Sequence, residues 1–250
     1  MKYRFILPWA IVLLSLTAYS PAHSQATHLP AGSDQIVFSA PPPPPVGAPD
    51  GRSRGGASRG ECRDYESLTA LVPTVNGKVW GTTGSEHPTF WFYFPKAVPA
   101  DTSVAFVLQD ANHIPLYATT LNLNIEAGLN HLTVPKTVPA MLVGQPYSWA
   151  LAVYCDPEDP GEFVSVNGTI ERVAIDPAQQ ARLAADSPLD QVKWYAAQGI
   201  WYDALNTLSE PYEDDSRNSA LATAWANLLK YANLEYLTTQ PIRHCCRPRS

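Results

Sequence analysis

Between about Cys62 and Ile175 the chain sets apolar and polar residues in short alternating runs broken by Gly, Pro and Asn. A period of two with frequent turn residues predicts a succession of short β-strands. Seven runs qualify: Lys78 to Trp80, Thr89 to Phe94, Ser103 to Gln109, Leu116 to Leu121, His131 to Val134, Tyr147 to Cys155 and Glu162 to Val173. In the second, Phe90, Phe92 and Phe94 fall on one face and Trp91 and Tyr93 on the other. Two aromatic faces predict a central strand, with the core on one side and the C-terminal helices on the other. The sharper expectation is that Trp91 and Tyr93 stand exposed and stack on a sugar or peptide. In the sixth run Tyr147, Trp149, Leu151, Val153 and Cys155 share one face, which places Cys155 at the core-facing end of the strand.

After Ile175 the period changes to that of a helix. Ser187 caps a first helix with Pro188 at its first position, and Gly199 stops it. Ile200 to Leu208 presents Tyr202, Leu205 and Leu208 on one stripe. Arg217 to Ala232 repeats the pattern through Leu221, Trp225 and Leu228, with Asp215 or Ser216 as cap. The run WYAAQGIWYDALNTL resembles the turn and second helix of a tetratricopeptide repeat, and a single unit reads as a helical hairpin. Trp201, Tyr202 and Trp225 are its expected interaction surface. The predicted fold is mainly β with an α tail: an immunoglobulin- or fibronectin-like antiparallel β-sandwich followed by the short helical hairpin.

Ahead of the strands, Lys2 and Arg4 precede the apolar run Phe5 to Leu16, and small residues at Ala22 and Ser24 lead to Gln25. This order predicts a secretory signal peptide over residues 1–24. The run contains Pro8 and falls short of the roughly 20 residues of a membrane-spanning helix. No later stretch is long and apolar enough to span a bilayer, so the mature chain is expected in the periplasm or the medium. Residues 25–60, which include PPPPPVGAPDGRSRGGASRG, are expected to be a disordered tether, part polyproline rod and part flexible coil. The sandwich then occupies 61–175 and the helical tail 176–250.

The leader carries two basic residues and no acid, so its removal takes the formal charge from −6 to −8. An acidic chain binds phosphate backbones poorly, and no nucleic-acid partner is expected. Arg52, Arg54 and Arg59 sit among glycines and serines, where they solubilise a flexible segment. Four cysteines, Cys62, Cys155, Cys245 and Cys246, point to disulfides in an exported protein. A bond between the adjacent pair would be strained, so Cys62 and Cys155 are each expected to join one member of it and staple the tail to the sandwich. A metal site built on His244, Cys245 and Cys246 lacks the spacing of zinc ligands, and neither metal nor cofactor is expected.

Catalytic motifs are missing from the sequence: it has no G-x-S-x-G elbow between a strand and a helix, no H-E-x-x-H and no Walker loop. Glu86 with His87, and Asp110 with His113, pair an imidazole with a carboxylate in sequence. Asp156, Glu158 and Asp159 in CDPEDPGE could ligate calcium, without the alternation of a regular calcium loop. Each of these reads better as a solvated loop. Asn167-Gly168-Thr169 matches a glycosylation sequon.

Taken in order, RSRGGASRG (Arg52 to Gly60), LTALVP (Leu68 to Pro73), Trp80-Gly81, EHPTFWFY (Glu86 to Tyr93), FVLQD (Phe106 to Asp110), YCDP (Tyr154 to Pro157), GIWYDAL (Gly199 to Leu205) and Cys245-Cys246 resemble the cyanobacterial family DUF928. The resemblance runs from the Pro-rich segment to the end, and departs from the family pattern at Arg63, where a proline follows the cysteine. It implies an exported, envelope-associated or secreted cyanobacterial protein and no particular activity. Two functions are therefore expected. The first is a non-catalytic module that presents a surface to an unknown envelope or secreted protein. The alternative is a glycan-binding module or glycan hydrolase built on Glu86, His87, Trp91 and Tyr93.

Overall fold

In the computed structural model of the chain the described residues are 36–39, 51–55, 60–121, 123–156, 159 and 161–243. The expected signal peptide, most of the Pro-rich segment, and His244, Cys245 and Cys246 lie outside them. The fold is mainly β, two sheets with nine strands, followed by four helices. The strands are β1 (Thr69–Ala70), β2 (Thr74–Val75), β3 (Lys78–Thr83), β4 (Thr89–Phe94), β5 (Ser103–Gln109), β6 (Pro115–Leu121), β7 (Gly128–Thr133), β8 (Pro146–Tyr154) and β9 (Phe163–Arg172). The helices are α1 (Pro177–Leu183), α2 (Pro188–Ala197), α3 (Trp201–Asp214) and α4 (Ser219–Tyr231).

All seven expected strands are present. β1 and β2 have two residues each, too few to show a period. The small sheet has the order β1-β4-β7 and the large one β2-β3-β9-β8-β5-β6. The antiparallel expectation fails at one pair: β3 runs parallel to β9, with Trp80 opposite Thr169. The sheets meet through the face predicted for β4. Phe90 packs on Phe106 of β5 and Trp149 of β8 at 5.0 and 5.7 Å between ring centroids, and Phe92 meets the same two rings at 6.3 and 6.0 Å. Burying a phenylalanine side chain contributes roughly 2 kcal/mol, so this layer is a main source of stability.

The chain before β1 is part of the fold. Contrary to the expected disordered tether over 25–60, residues 51–55 pair with both sheets. Arg52 exchanges backbone bonds with Asn167 of β9, Ser53 accepts from Ala70 N–H, and Gly55 N–H donates to Leu68. This short piece therefore crosses from the large sheet to the free side of β1. Further upstream, Ser39 N–H donates to the Ala196 carbonyl and Phe38 packs against Trp201 and Tyr231. At the other end, Ile242 pairs with Leu129 along the free side of β7, Leu129 N–H donating to Pro241 and Arg243 N–H to Leu129. Gly128 makes room for that strap: its φ is 126°, and a β-carbon there would lie 2.5 Å from the Pro241 carbonyl oxygen.

The helices follow the predicted caps with three differences. Asp176 caps an unexpected α1, α3 continues through Pro211 to Asp214, and Asn218 caps α4 in place of Asp215 or Ser216. Trp201, Tyr202 and Trp225, expected as an interaction surface, are at most 2 % exposed. They belong to the core because the helical hairpin uses its aromatic stripe to cover the sheets. Tyr202 meets Phe90 edge-on at 5.3 Å, and Trp225 stacks on Tyr212 at 4.9 Å. Among the described residues no helix is long and apolar enough to cross a membrane.

The cysteine expectation is also corrected. Cys62 is bonded to Cys155, with their Cα atoms 5.1 Å apart, so neither is joined to Cys245 or Cys246. The bridge ties the turn before β1 to the end of β8. It closes a loop of 93 residues, for which the loss of unfolded-state entropy corresponds to about 4 to 5 kcal/mol. A Cys62→Ala/Cys155→Ala variant is accordingly expected to lose about 3 to 5 kcal/mol in urea unfolding, and a non-reducing digest to yield one peptide pair containing Cys62 and Cys155. Unchanged stability in the variant would remove the bridge from the account of the fold.

Candidate functional site

Chemistry-bearing groups converge where α3 crosses β3, β4 and β7. The approach is set by the turn between α2 and α3. Gly199, at φ 73°, ends α2 and offers its carbonyl to the Thr82 hydroxyl at 2.9 Å. One residue into α3, Tyr202 lies over Gly81, where a β-carbon would come within 2.9 Å of the ring. Trp201 donates its indole N–H to the Leu71 carbonyl at 2.8 Å. These contacts turn Asp203, in the first turn of α3, toward β3.

Asp203 Oδ2 accepts from the Thr83 hydroxyl at 2.7 Å and from Gly84 N–H at 2.9 Å, while Ser85 N–H donates to Thr83 Oγ1. Burial raises this carboxyl above the usual aspartate range, and the two hydrogen bonds act in the opposite direction. Burial likewise pushes the Tyr202 phenol upward, which keeps it neutral. A cleft of about 270 Å³ opens beside Asp203, lined by hydroxyls of Thr83, Ser85, Thr89, Thr133 and Thr207 and by His87. The His87 ring contacts the Val138 carbonyl at 3.1 Å. A carbonyl only accepts, so Nε2 carries the proton in that contact.

Asn206 lines this cleft and a second one of about 370 Å³. The floor of the second follows from strand parity: Trp91 of β4 is paired with His131 of β7, their rings 4.7 Å apart, one step along the same face from Thr89 and Thr133. Glu210, Glu213 and Asp214 form its wall. They occupy the last turns of α3, where the helix dipole is negative and the last turn itself carries no basic residue. Each such carboxylate costs several tenths of a kcal/mol. Sequence reasoning stopped this helix at Leu208 and missed them. The signal was present in the spacing of Asp203, Asn206, Glu210 and Glu213, a polar stripe that flanks the Tyr202, Leu205 and Leu208 stripe.

The four residues grouped as a binding surface are separated. Trp91 is 3 % exposed, so the exposed aromatic platform is replaced by a tryptophan beneath α3, and Tyr93 is half-buried. Glu86 turns away to an ion pair with Arg172 at 3.1 Å, and only His87 reaches the hydroxyl-lined cleft. Asp110 does not orient His113. It caps its own turn, accepting from Asn112 and Ile114 N–H at 2.8 and 2.9 Å. In the acidic loop Asp159 accepts from Gly161 N–H, while Glu158 lies outside the described residues. The sequon lies inside β9, with Gly168 and Thr169 buried. Among the described residues no three His, Cys, Asp or Glu side chains are placed to share a metal ion. The arrangement has acceptors and an aromatic floor, which suits binding of hydroxyl or ammonium groups.

The buried Asp203 gives a pH signature. A folded-state pKa above the ordinary value means that the proton stabilises the fold fully below that value, and that this stabilisation is lost as pH rises through the folded pKa. Both hydrogen bonds end on one oxygen, which an amide oxygen can replace. Asp203→Asn should therefore gain thermal stability relative to the native chain as pH rises from about 4 toward neutrality. Melting curves of the two proteins that stay parallel across this range would show that the carboxyl is not perturbed.

No curated protein and no solved structure matches the chain. The DUF928 family, Domain of Unknown Function, matches residues 54–242. That span covers β1 to α4, the Asp203 corner and both clefts, and it stops short of the Cys245-Cys246 pair. By this match over most of its length, the chain belongs to the DUF928 family.

Proposed function

We propose that the protein is an exported, non-catalytic envelope or secreted module that binds another protein through the outer face of its large sheet. One observation carries the reading: that face is uncharged over β5, β6 and β8. Its outward positions include Ala105 and Val107 on β5, Ala118 and Thr120 on β6, and Ala150 and Ala152 on β8. A solvated face of an antiparallel sheet ordinarily carries polar and charged side chains. Here small neutral residues line a shallow concavity of about 470 Å³. The basic, apolar leader at Met1 to Ser24 and the Cys62–Cys155 bridge both support export, since such bonds persist in oxidising compartments.

We read the sheets as an immunoglobulin-like sandwich. The order β9-β8-β5-β6 corresponds to strands G-F-C-C′ of that fold and β1-β4-β7 to A-B-E, which supports the reading. Gly199 at the turn between α2 and α3 supports a hairpin of the tetratricopeptide kind. Such frames serve as scaffolds for recognition, and the flat neutral face is where this one has surface to offer.

A second reading is a glycan site in the α3 cleft. It is favoured by the carboxylates and Asn206 set around Trp91, whose buried indole N–H finds no acceptor among the described residues. An oligosaccharide that changes tryptophan fluorescence in the native chain and not in Glu210→Gln would support it. For the preferred reading, mild cross-linking in the native envelope should join the chain to one other protein. Ala150→Arg should abolish that link while far-UV circular dichroism stays unchanged. A link that survives Ala150→Arg moves the interface elsewhere and overturns the reading.

A further inference from the structure

Of the four sheet edges, two are paired by other segments, one is very short and one is open among the described residues. In the small sheet, Ser53 and Gly55 pair along β1, and the strap through Ile242 pairs along β7. In the large sheet, one edge is the two-residue β2. The other is β6, seven residues long, with β5 on one side and no strand on the other among the described residues. A strand edge of this length is a template for another strand, and proteins ordinarily blunt such edges with charge, proline or a bulge. Pro115 and a register shift at Leu108 and Gln109 occupy one end of β6. The remainder, Tyr117 to Leu121, pairs with β5 in regular register.

The same stretch is free of charge. From Ala111 to Ile125 the chain has no Asp, Glu, Lys or Arg, although the protein carries 23 acidic and 17 basic residues. The carboxylates that flank it are engaged, Asp110 by two backbone N–H groups and Glu126 by an ion pair with Arg243. Ile114, just before the strand, is 62 % exposed.

From these observations we infer that β6 is a self-association edge, where a second copy of this chain adds its own β6 antiparallel about a two-fold axis near Ala118. The inference deepens the proposed role as an interaction module and rests on it. A partner of unlike charge has no need of a neutral seam. Self-pairing has, because in an isologous interface a charge near the axis meets its own kind, and like charges directly opposite destabilise a strand pair. Pairing about Ala118 sets Tyr117 opposite Thr119, an aromatic residue against a β-branched one, which is a favourable cross-strand pair. The two large sheets would then run on as one, and their neutral outer faces would join.

Sedimentation equilibrium of the full oxidised chain tests this. A dimer that dissociates on dilution is expected, and Ala118→Lys and Ala118→Glu should each weaken it about tenfold or more. Ala118 is exposed, so both variants should fold, as an intact Cys62–Cys155 bridge and native circular dichroism would establish. Mixing the two variants should restore the dimer, since opposite charges then face each other. A monomer at every concentration, a dimer indifferent to both variants, or a mixture of folded variants that stays monomeric would each overturn the inference. A monomeric chain that still cross-links to another protein through the sheet face would sink this inference alone. A dimer without any such cross-link would sink only the reading above it.

Discussion

Five residues, Gly199 to Asp203, hold the helices to the sheets, and most of the architecture depends on their fit. The Gly199 carbonyl, the Trp201 indole, the Tyr202 ring and the Asp203 carboxyl each meet a different point on β3 or on the link that follows β1. Two of these contacts satisfy buried polar groups that would otherwise cost 1 to 3 kcal/mol each, roughly the scale of a sizeable fraction of total stability. Gly81 is the complementary constraint, because any side chain there displaces Tyr202. Once α3 is seated, its far end necessarily lies over Trp91 and His131, and both clefts are consequences of that crossing.

The two terminal straps have a related role. Residues 51–55 and 241–243 add backbone pairs to the outer strands of the small sheet, which otherwise has three strands, one of them two residues long. A sheet of that size is marginal by itself. The disulfide acts on the same region by fixing Cys62, just ahead of β1, to the end of β8. The small sheet is thus braced from both ends of the chain and from the large sheet.

Much of this was legible in residue parity. Alternation placed Phe90, Phe92 and Phe94 in the core, and set Tyr147, Trp149, Leu151, Val153 and Cys155 on one buried face of the β8 run. Caps such as Ser187 and stops such as Gly199 read correctly because they depend on a few adjacent residues. What was illegible depended on distant partners. Strain in a Cys245–Cys246 bond argued for cross-pairing, yet Cys62 and Cys155 meet across 93 residues, a proximity that only the folded sheets create. Arg52 and Arg54 looked like part of a soluble coil because the edges they complete belong to β9 and β1. The site was hidden for the same reason: Asp203 looks like an ordinary helix-start acid, favoured there by the dipole, until Thr83 is brought to it.

Charge then divides the molecule. Acidic residues gather along α3, which is fastened to β3, while the opposite edge of the large sheet is neutral. Along the order β3-β9-β8-β5-β6 the two are four strand spacings apart, roughly 19 Å. Screening at physiological salt acts over about 8 Å, so the carboxylates of α3 have little influence at β6. An acidic protein ordinarily resists meeting itself. By keeping the carboxylates of α3 on the helical side, this one leaves an edge where backbone hydrogen bonds and neutral side chains can act without opposition from them.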